Sequence, residues 1–271
     1  MNPASAFRGE RAEARFERVL SVAGQVTLDV SAKAGVIRVR RGEDGQVTVR
    51  GILRAQPSIL GWSAGEQVTW LAANPPVRQD GNTIRIGDVA DRWLLRRILL
   101  LVEITTPAQT RIRALADCAD LRIEGIDGPV DCENDSGEIE IANVTGQVSA
   151  SSDSGSIHLR DVAGPVDAEA DSGDIEALNI GSGIDAHTDS GNIRLSQTTA
   201  APIYARSDSG SIRIKLPAGG GYTVRVRTDH GAIDIPELAQ SESSAKEVHG
   251  AIRGGGSIIS AETDSGDIEI A

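Results

Sequence analysis

The chain has 271 residues, 39% of them hydrophobic, with two cysteines and only two phenylalanines, two tyrosines and three tryptophans. This excludes a disulfide-knitted miniprotein, a disordered tail and a core built on aromatic rings. Net charge is −12 but unevenly spread: residues 1–113 hold 17 basic and 11 acidic side chains, residues 114–271 hold 10 and 28. An acidic array repels nucleic acid and anionic lipid, and its charge is read as solubility ahead of cation binding.

Residues 1–15 lack periodicity and read as a flexible arm. Arg8, Arg11, Arg15 and Arg18 fall in the first twenty residues without an apolar run of signal-peptide length, so the sequence by itself reads as cytoplasmic. Order begins near Phe16. Val26–Val30, Val36–Val39 and Val47–Val49 alternate as strands and start a first set of coils, separated by Ala34-Gly35 and Glu43-Asp44-Gly45. Residues 54–106 form an irregular section that holds Trp62, Trp70 and Trp93. The tryptophans are a candidate interface, with a cap over the first coils the preferred reading. The apolar run from Trp93 to Val102 is interrupted by Arg96 and Arg97 and is far short of the ~20 residues of a membrane span.

From residue 107 to 235 one phrase recurs: Asp135-Ser136-Gly137, Asp153-Ser154-Gly155, Asp171-Ser172-Gly173, Asp189-Ser190-Gly191 and Asp208-Ser209-Gly210, at steps of 18, 18, 18 and 19 residues. A fixed period marks one structural unit stacked on copies of itself. Asp117-Cys118-Ala119 and Asp229-His230-Gly231 are degenerate copies. With the Asp as position one, positions five and seven are apolar, as in Ile139/Ile141 and Ile157/Leu159, and so are fourteen and sixteen, as in Val148/Ala150 and Val166/Ala168. Each unit therefore carries two short strands. Position ten (Ile126, Val144, Val162, Ile180) plugs a corner, and Gly128, Gly146 and Gly164 mark a turn. Identical side chains at one step stack in register only in parallel coils. The fold expected is an all-β parallel solenoid, right-handed by the crossover rule, with large residues facing small ones across an interior too narrow for rings.

Residues 236–256 lose the frame and read as a polar loop ending in Gly254-Gly255-Gly256. A last coil, 257–271, closes on Asp264-Ser265-Gly266-Asp267-Ile268-Glu269-Ile270. As the terminal coil it would expose an unpaired strand edge, a route to weak end-to-end or back-to-back self-association.

The early Ala-Gly-Val-Ile-Arg-Val strand, Thr106-Pro107 after a β run, the serial Asp-Ser-Gly-x-Ile-x-Ile units and the Gly-rich segment before the final unit resemble the bacterial β-strand-repeat domain of unknown function called "putative adhesin". The resemblance spans residues 16–271. It implies a parallel β-solenoid and, more loosely, a place at the cell envelope, with a protein or glycan as partner; it carries no catalytic residues.

Asp-Ser-Gly is also the active-site phrase of aspartic proteases, where two carboxylates share a proton. Six recurrences, and replacement of Ser by His230 or Cys118 within the same frame, make it a turn instead. In that turn the Asp oxygen accepts from its own backbone N–H groups and the Gly takes positive φ. His158, His187, His230 and His249 fall at different frame positions and do not converge on a metal. Cys132 points inward and Cys118 lies in a turn, out of disulfide reach. No cofactor motif occurs. The outward column Arg122, Glu140, His158, Glu176, Arg194, Arg213 pairs opposite charges across coils and reads as register control. The residues point to a non-enzymatic scaffold or adhesin-like binding module; the alternatives are a self-assembling structural protein and, third, a carbohydrate-active β-helix, which needs a cleft that short units do not build.

The frame makes one sharp prediction. Ile175→Asp, at buried position five, is expected to abolish the cooperative thermal transition, while Asp174→Ser at position four leaves it nearly unchanged; the opposite ranking would shift the register by one.

Overall fold

Strands form where apolar and polar residues alternate. The computed structural model describes residues 12–55, 64–87, 98–243 and 246–271. The N-terminal section comprises β1 (Glu13–Ser21), β2 (Val26–Arg41), β3 (Gln46–Ala55), helix α1 (Ala64–Ala73), β4 (Val77–Asp80), β5 (Thr83–Ile86) and β6 (Ile98–Thr106). Residues 13–15, expected in the arm, are already strand. A long β7 (Thr110–Ile126) opens the repeat, followed two by two by β8 (Val130–Ser136) and β9 (Ile139–Val144), β10 (Val148–Ser152) and β11 (Ile157–Val162), and β12 (Val166–Ala170) and β13 (Ile175–Ile180). The array goes on with β14 (Ile184–Thr188) and β15 (Ile193–Gln197), then β16 (Ile203–Ser209) and β17 (Ile212–Lys215). The last strands are β18 (Tyr222–His230), β19 (Ile233–Asp234), β20 (Leu238–Ser243), β21 (Glu247–Ile252), β22 (Ser257–Ser265) and β23 (Ile268–Ile270), and all belong to one sheet.

Within the array the coils stack parallel and in frame, Val148 between Val130 and Val166, Ile157 between Ile139 and Ile175. Positions five, seven, ten, fourteen and sixteen face inward and are buried, Ile175 at 0% exposure. The extra residue in the 189–207 unit is absorbed at the corner, where the register shifts so that Ile180 stacks on Gln197.

Glycines at the two corners serve another purpose than the expected one. Of the Asp-Ser-Gly glycines only Gly137 has a positive φ (121°). The others are required by close stacking: a Cβ on Gly155 would lie 1.8 Å from the Gly137 carbonyl oxygen, on Gly173 2.2 Å from that of Gly155, on Gly191 2.1 Å from that of Gly173. Gly146 and Gly164 repeat this at position twelve, 2.3 and 2.2 Å from the carbonyl oxygens below. Left-handed backbone sits instead at position nine, in Gly125, Asn143, Asp161 and Asn179 (φ 75°, 55°, 54° and 59°), residue types that tolerate it.

At both ends the order in space departs from the order in the chain. β22 lies between β16 and β18, and β23 between β17 and β19, so the C-terminal coil is an interior layer and the coil of β18 and β19 is the outer one. The expected free edge on the last coil is absent because both of its edges are paired. Residues 236–256 are not a loop: β20 and β21 form an antiparallel hairpin that covers the outer edge of β18. Arg253 ties this cap down with a fork on Glu237 (2.7 and 2.8 Å) and a bond to the Pro217 carbonyl (2.6 Å). The N-terminal end mirrors it. β2 stacks between β7 on one side and β5 with β6 on the other, and antiparallel β3 and β1 extend the sheet beyond β6. Helix α1 packs on β1 and β3, with Val68 and Leu71 buried.

One ring enters the interior against expectation. Tyr222 is fully buried and its hydroxyl donates to Gln197 Oε1 at 3.0 Å, while the Gln197 amide donates to the Ser182 carbonyl at 2.9 Å. Burial pushes the tyrosine hydroxyl's pKa up.

Because the corner glycines answer to distance rather than dihedral, Gly173→Ala is expected to cost ~1–3 kcal/mol, in the range of overpacked core mutants. Gly219→Ala, with nothing within 4 Å of its Cβ, should stay within ~0.5 kcal/mol. Chemical denaturation of both variants checks the pair.

Candidate functional site

The Asp-Ser-Gly column stacks as a continuous ladder at one corner. Its backbone N–H groups serve the neighbouring coil: Ser154 N–H donates to the Asp135 carbonyl (3.0 Å), Ser172 to Asp153 (2.9 Å), Ser190 to Asp171 (2.9 Å) and Ser209 to Asp189 (2.9 Å). The carboxylates are therefore not held by their own turns, because the parallel ladder has already taken those donors. Several meet cations instead. Lys33, in register with Asp117 at the head of the column, ion-pairs with it; Asp189 faces His187 (3.4 Å), Asp208 faces Arg206 (3.5 Å) and Asp229 faces Arg227 (3.0 Å). Ser265 stacks on Ser209 and His230, so the 264–266 unit joins the ladder inside the end coil.

Behind the aspartates runs a buried hydroxyl column that the sequence pattern did not single out. Thr188, Ser207, Thr263 and Thr228 donate to the carbonyls of Gly173, Gly191, Gly210 and Gly266 at 2.9–3.1 Å, and Ser152 accepts the Gly155 N–H at 2.8 Å. The signal was the small polar residue that precedes most of the Asp-Ser-Gly units.

His158 lies outside between Glu138 and Glu176, 3.5 Å from each, and His249 pairs with Glu247 at 2.7 Å. Among the described residues no group of three or more His, Cys, Asp or Glu side chains is placed to hold a metal ion. Cys132 is buried, which raises its thiol pKa, and Cys118 is exposed with its sulfur 3.5 Å from Ser136 Oγ; both are free. Trp70 stands 55% exposed on α1, away from the capping contacts that Val68 and Leu71 make, whereas Trp62 and Trp93 lie outside the described residues. Among the described residues no helix is long and apolar enough to cross a membrane.

The outward charge column forms as read, with Arg122–Glu140 at 3.4 Å, His158–Glu176 at 3.5 Å and Arg194–Glu176 at 3.7 Å, and it continues into the inserted coil through Arg213–Glu269 at 3.3 Å. Such exposed pairs are each worth ~1 kcal/mol or less.

A concavity lies elsewhere, on the outer face of the N-terminal section. A groove of about 600 Å³ crosses β1, β3, β6 and β2. Its floor is a row of cross-strand neighbours, Ile52, Leu101 and Val36, flanked by Arg15 and bordered by a second row of Glu17, Arg50, Glu103 and Arg38. A second hollow of about 500 Å³ shares Arg38 with the groove and runs past Arg40 to Arg122, Arg160 and Asp161. Sequence reasoning missed this site because strand alternation only says that Ile52, Leu101 and Val36 point away from the core, not that three strands align them.

Across the array, the fold disturbs the titration of Asp185. Burial lifts its carboxyl above the usual range, neighbouring Asp167 adds to the rise, and His187 opposes it. A carboxyl raised on folding contributes stability below its unfolded pKa that is lost as pH rises through the folded value. Asp185→Asn is therefore expected to melt higher than the parent at pH ~7 and alike at pH ~3, which paired thermal melts will read.

No curated protein sequence matches this chain. The crystal structure of a "putative adhesin" from Bacteroides fragilis aligns over 95% of this chain and 97% of its own at 16% sequence identity, with a TM-score of 0.52, a likeness of fold. A "putative cell adhesion protein" from Clostridium sporogenes aligns over 95% and 99% at 12% identity, but its TM-score of 0.28 carries no structural argument. From residue 178 to the C-terminus, the inserted coil included, the chain matches the family model described as Toastrack DUF4097, a domain of unknown function.

Proposed function

We propose that the chain is a non-enzymatic, adhesin-like binding module of the cell envelope whose regular coils act as a rigid spacer and whose N-terminal groove engages a protein or glycan. The observation that carries this is the placement of the groove. The repeat buries its apolar side chains in the coil stack, so the apolar row of Ile52, Leu101 and Val36 on an outward face has no role in the core. The name of the Bacteroides fragilis neighbour supports an adhesive role.

Self-assembly through the C-terminal coil loses its basis, since β22 and β23 have no free edge. A carbohydrate-cleaving role would need acid and base carboxylates converging on the groove, and its acidic residues Glu17 and Glu103 are instead engaged by Arg50 (2.9 Å) and Arg40.

The test is saturable binding of the labelled full chain to intact bacterial cells and to purified cell-wall polysaccharide. Ile52→Lys with Leu101→Lys is expected to weaken binding at least ~10-fold without changing the melting temperature, the cost of losing a buried hot spot. Unchanged binding by that variant, or turnover of the polysaccharide, would remove the proposal.

A further inference from the structure

We infer that the groove also takes, besides a protein or glycan, a monomeric anionic amphiphile, an aliphatic chain ending in one carboxylate, with Arg38 as the anchor of the head group; this rests on reading the groove as the binding face. The row that holds Arg38 runs Glu17, Arg50, Glu103, Arg38, Arg122, Glu140 across adjacent strands. Each acid in it is engaged: Glu17 by Arg50 at 2.9 Å, Glu103 by Arg40 from two residues along β2, and Glu140 by Arg122 at 3.4 Å. Arg38 is left over. The carboxylate opposite it is taken, its other neighbour is a second guanidinium, and among the described residues it has no ion pair. Like charges directly opposed in a sheet are unfavourable. Like-charge neighbours recur elsewhere in the sheet, as at Arg78 and Arg85 or Arg194 and Arg213, but Arg85 keeps Asp29, Arg194 keeps Glu176 and Arg213 keeps Glu269 as carboxylate partners.

Immediately beside the free guanidinium the floor turns apolar, with Val36, Leu101 and Ile52 on three successive strands about 4.8 Å apart. A cation at one side and an aliphatic strip leading from it ask for a ligand with both features, and about 600 Å³ is within the range of small-molecule sites. An inorganic anion would leave the strip wet, and a neutral alkane would leave Arg38 unanswered. Charge also argues for a single molecule over a bilayer. Residues 1–113 are net basic, but the 28 acidic residues from 114 onward against 10 basic ones would be repelled by an anionic membrane surface.

The experiment titrates the full chain by calorimetry with decanoate below its micelle concentration, with decanol and with acetate. Decanoate is expected to bind saturably and one to one, decanol and acetate at least ~10-fold more weakly, and Arg38→Ala to weaken decanoate ~10- to 100-fold, the range for a lost charged hydrogen bond. Arg38→Lys should restore part of the affinity, and Ile52→Asn should weaken decanoate while leaving the weak acetate signal alone. Equal binding of decanol and decanoate would overturn the anchor role of Arg38. Decanoate binding that neither Arg38→Ala nor Ile52→Asn alters would place the ligand elsewhere and overturn the inference. Binding to phosphatidylglycerol vesicles with none to decanoate would replace it with a membrane surface. If decanoate fails while the lysine double variant still abolishes cell binding, the ligand class falls and the adhesive reading stands.

Discussion

The approach of one coil's backbone to the next governs this molecule. Parallel strands about 4.8 Å apart leave little room for a Cβ at the corners, where successive turns nest carbonyl over Cα, and that contact distance rather than dihedral freedom selects glycine in most copies of positions three and twelve, Ala119 and Ser182 being exceptions. The remaining regularities follow from it. Turn N–H groups go to the coil below, so several aspartates turn outward to basic side chains and the buried hydroxyls of Ser and Thr take up the leftover glycine carbonyls. The one corner that needs left-handed backbone is given to Asn, Asp or Gly.

A stack of this kind has an inherent difficulty at its ends, where a flat parallel layer offers bare N–H and C=O groups to any similar edge. Both ends solve it alike. The first coil in the chain and the last one are each tucked one layer inward, the outermost coil comes from a neighbouring stretch of sequence, and antiparallel strands then close over it. Termination by antiparallel pairing changes the direction of the chain and so blocks addition of another parallel coil. The assembly suggested by a final unit of ordinary sequence is thereby disfavoured.

The same capping creates the groove. Inside the array most outward positions are columns of charged or small polar groups, with Tyr204 an exposed exception. Where β2, β6 and antiparallel β3 adjoin, three aliphatic side chains face out together, and among the described residues Arg38 beside them has no ion pair. Departure from the repeat therefore coincides with the proposed binding groove, and the basic character of residues 1–113 sets that end apart from the acidic remainder.

The period, the inward and outward alternation, the corner plugs and the cross-coil charge column could be read from the residues because each depends only on local spacing along the chain. Ile175 at 0% exposure and the free, buried Cys132 follow from that frame without further information. What the residues could not state is which copy lies next to which. The units 222–235 and 257–270 have similar alternation, so either could stack on β17, and only the paths of the connecting segments and the closing hairpin settle that the later one does. The reason for the glycines, the burial of Tyr222 against Gln197 and the alignment of Ile52, Leu101 and Val36 likewise arise between strands distant in sequence. Alternation determines the face a side chain occupies; the neighbour it meets there depends on the order of strands in the sheet.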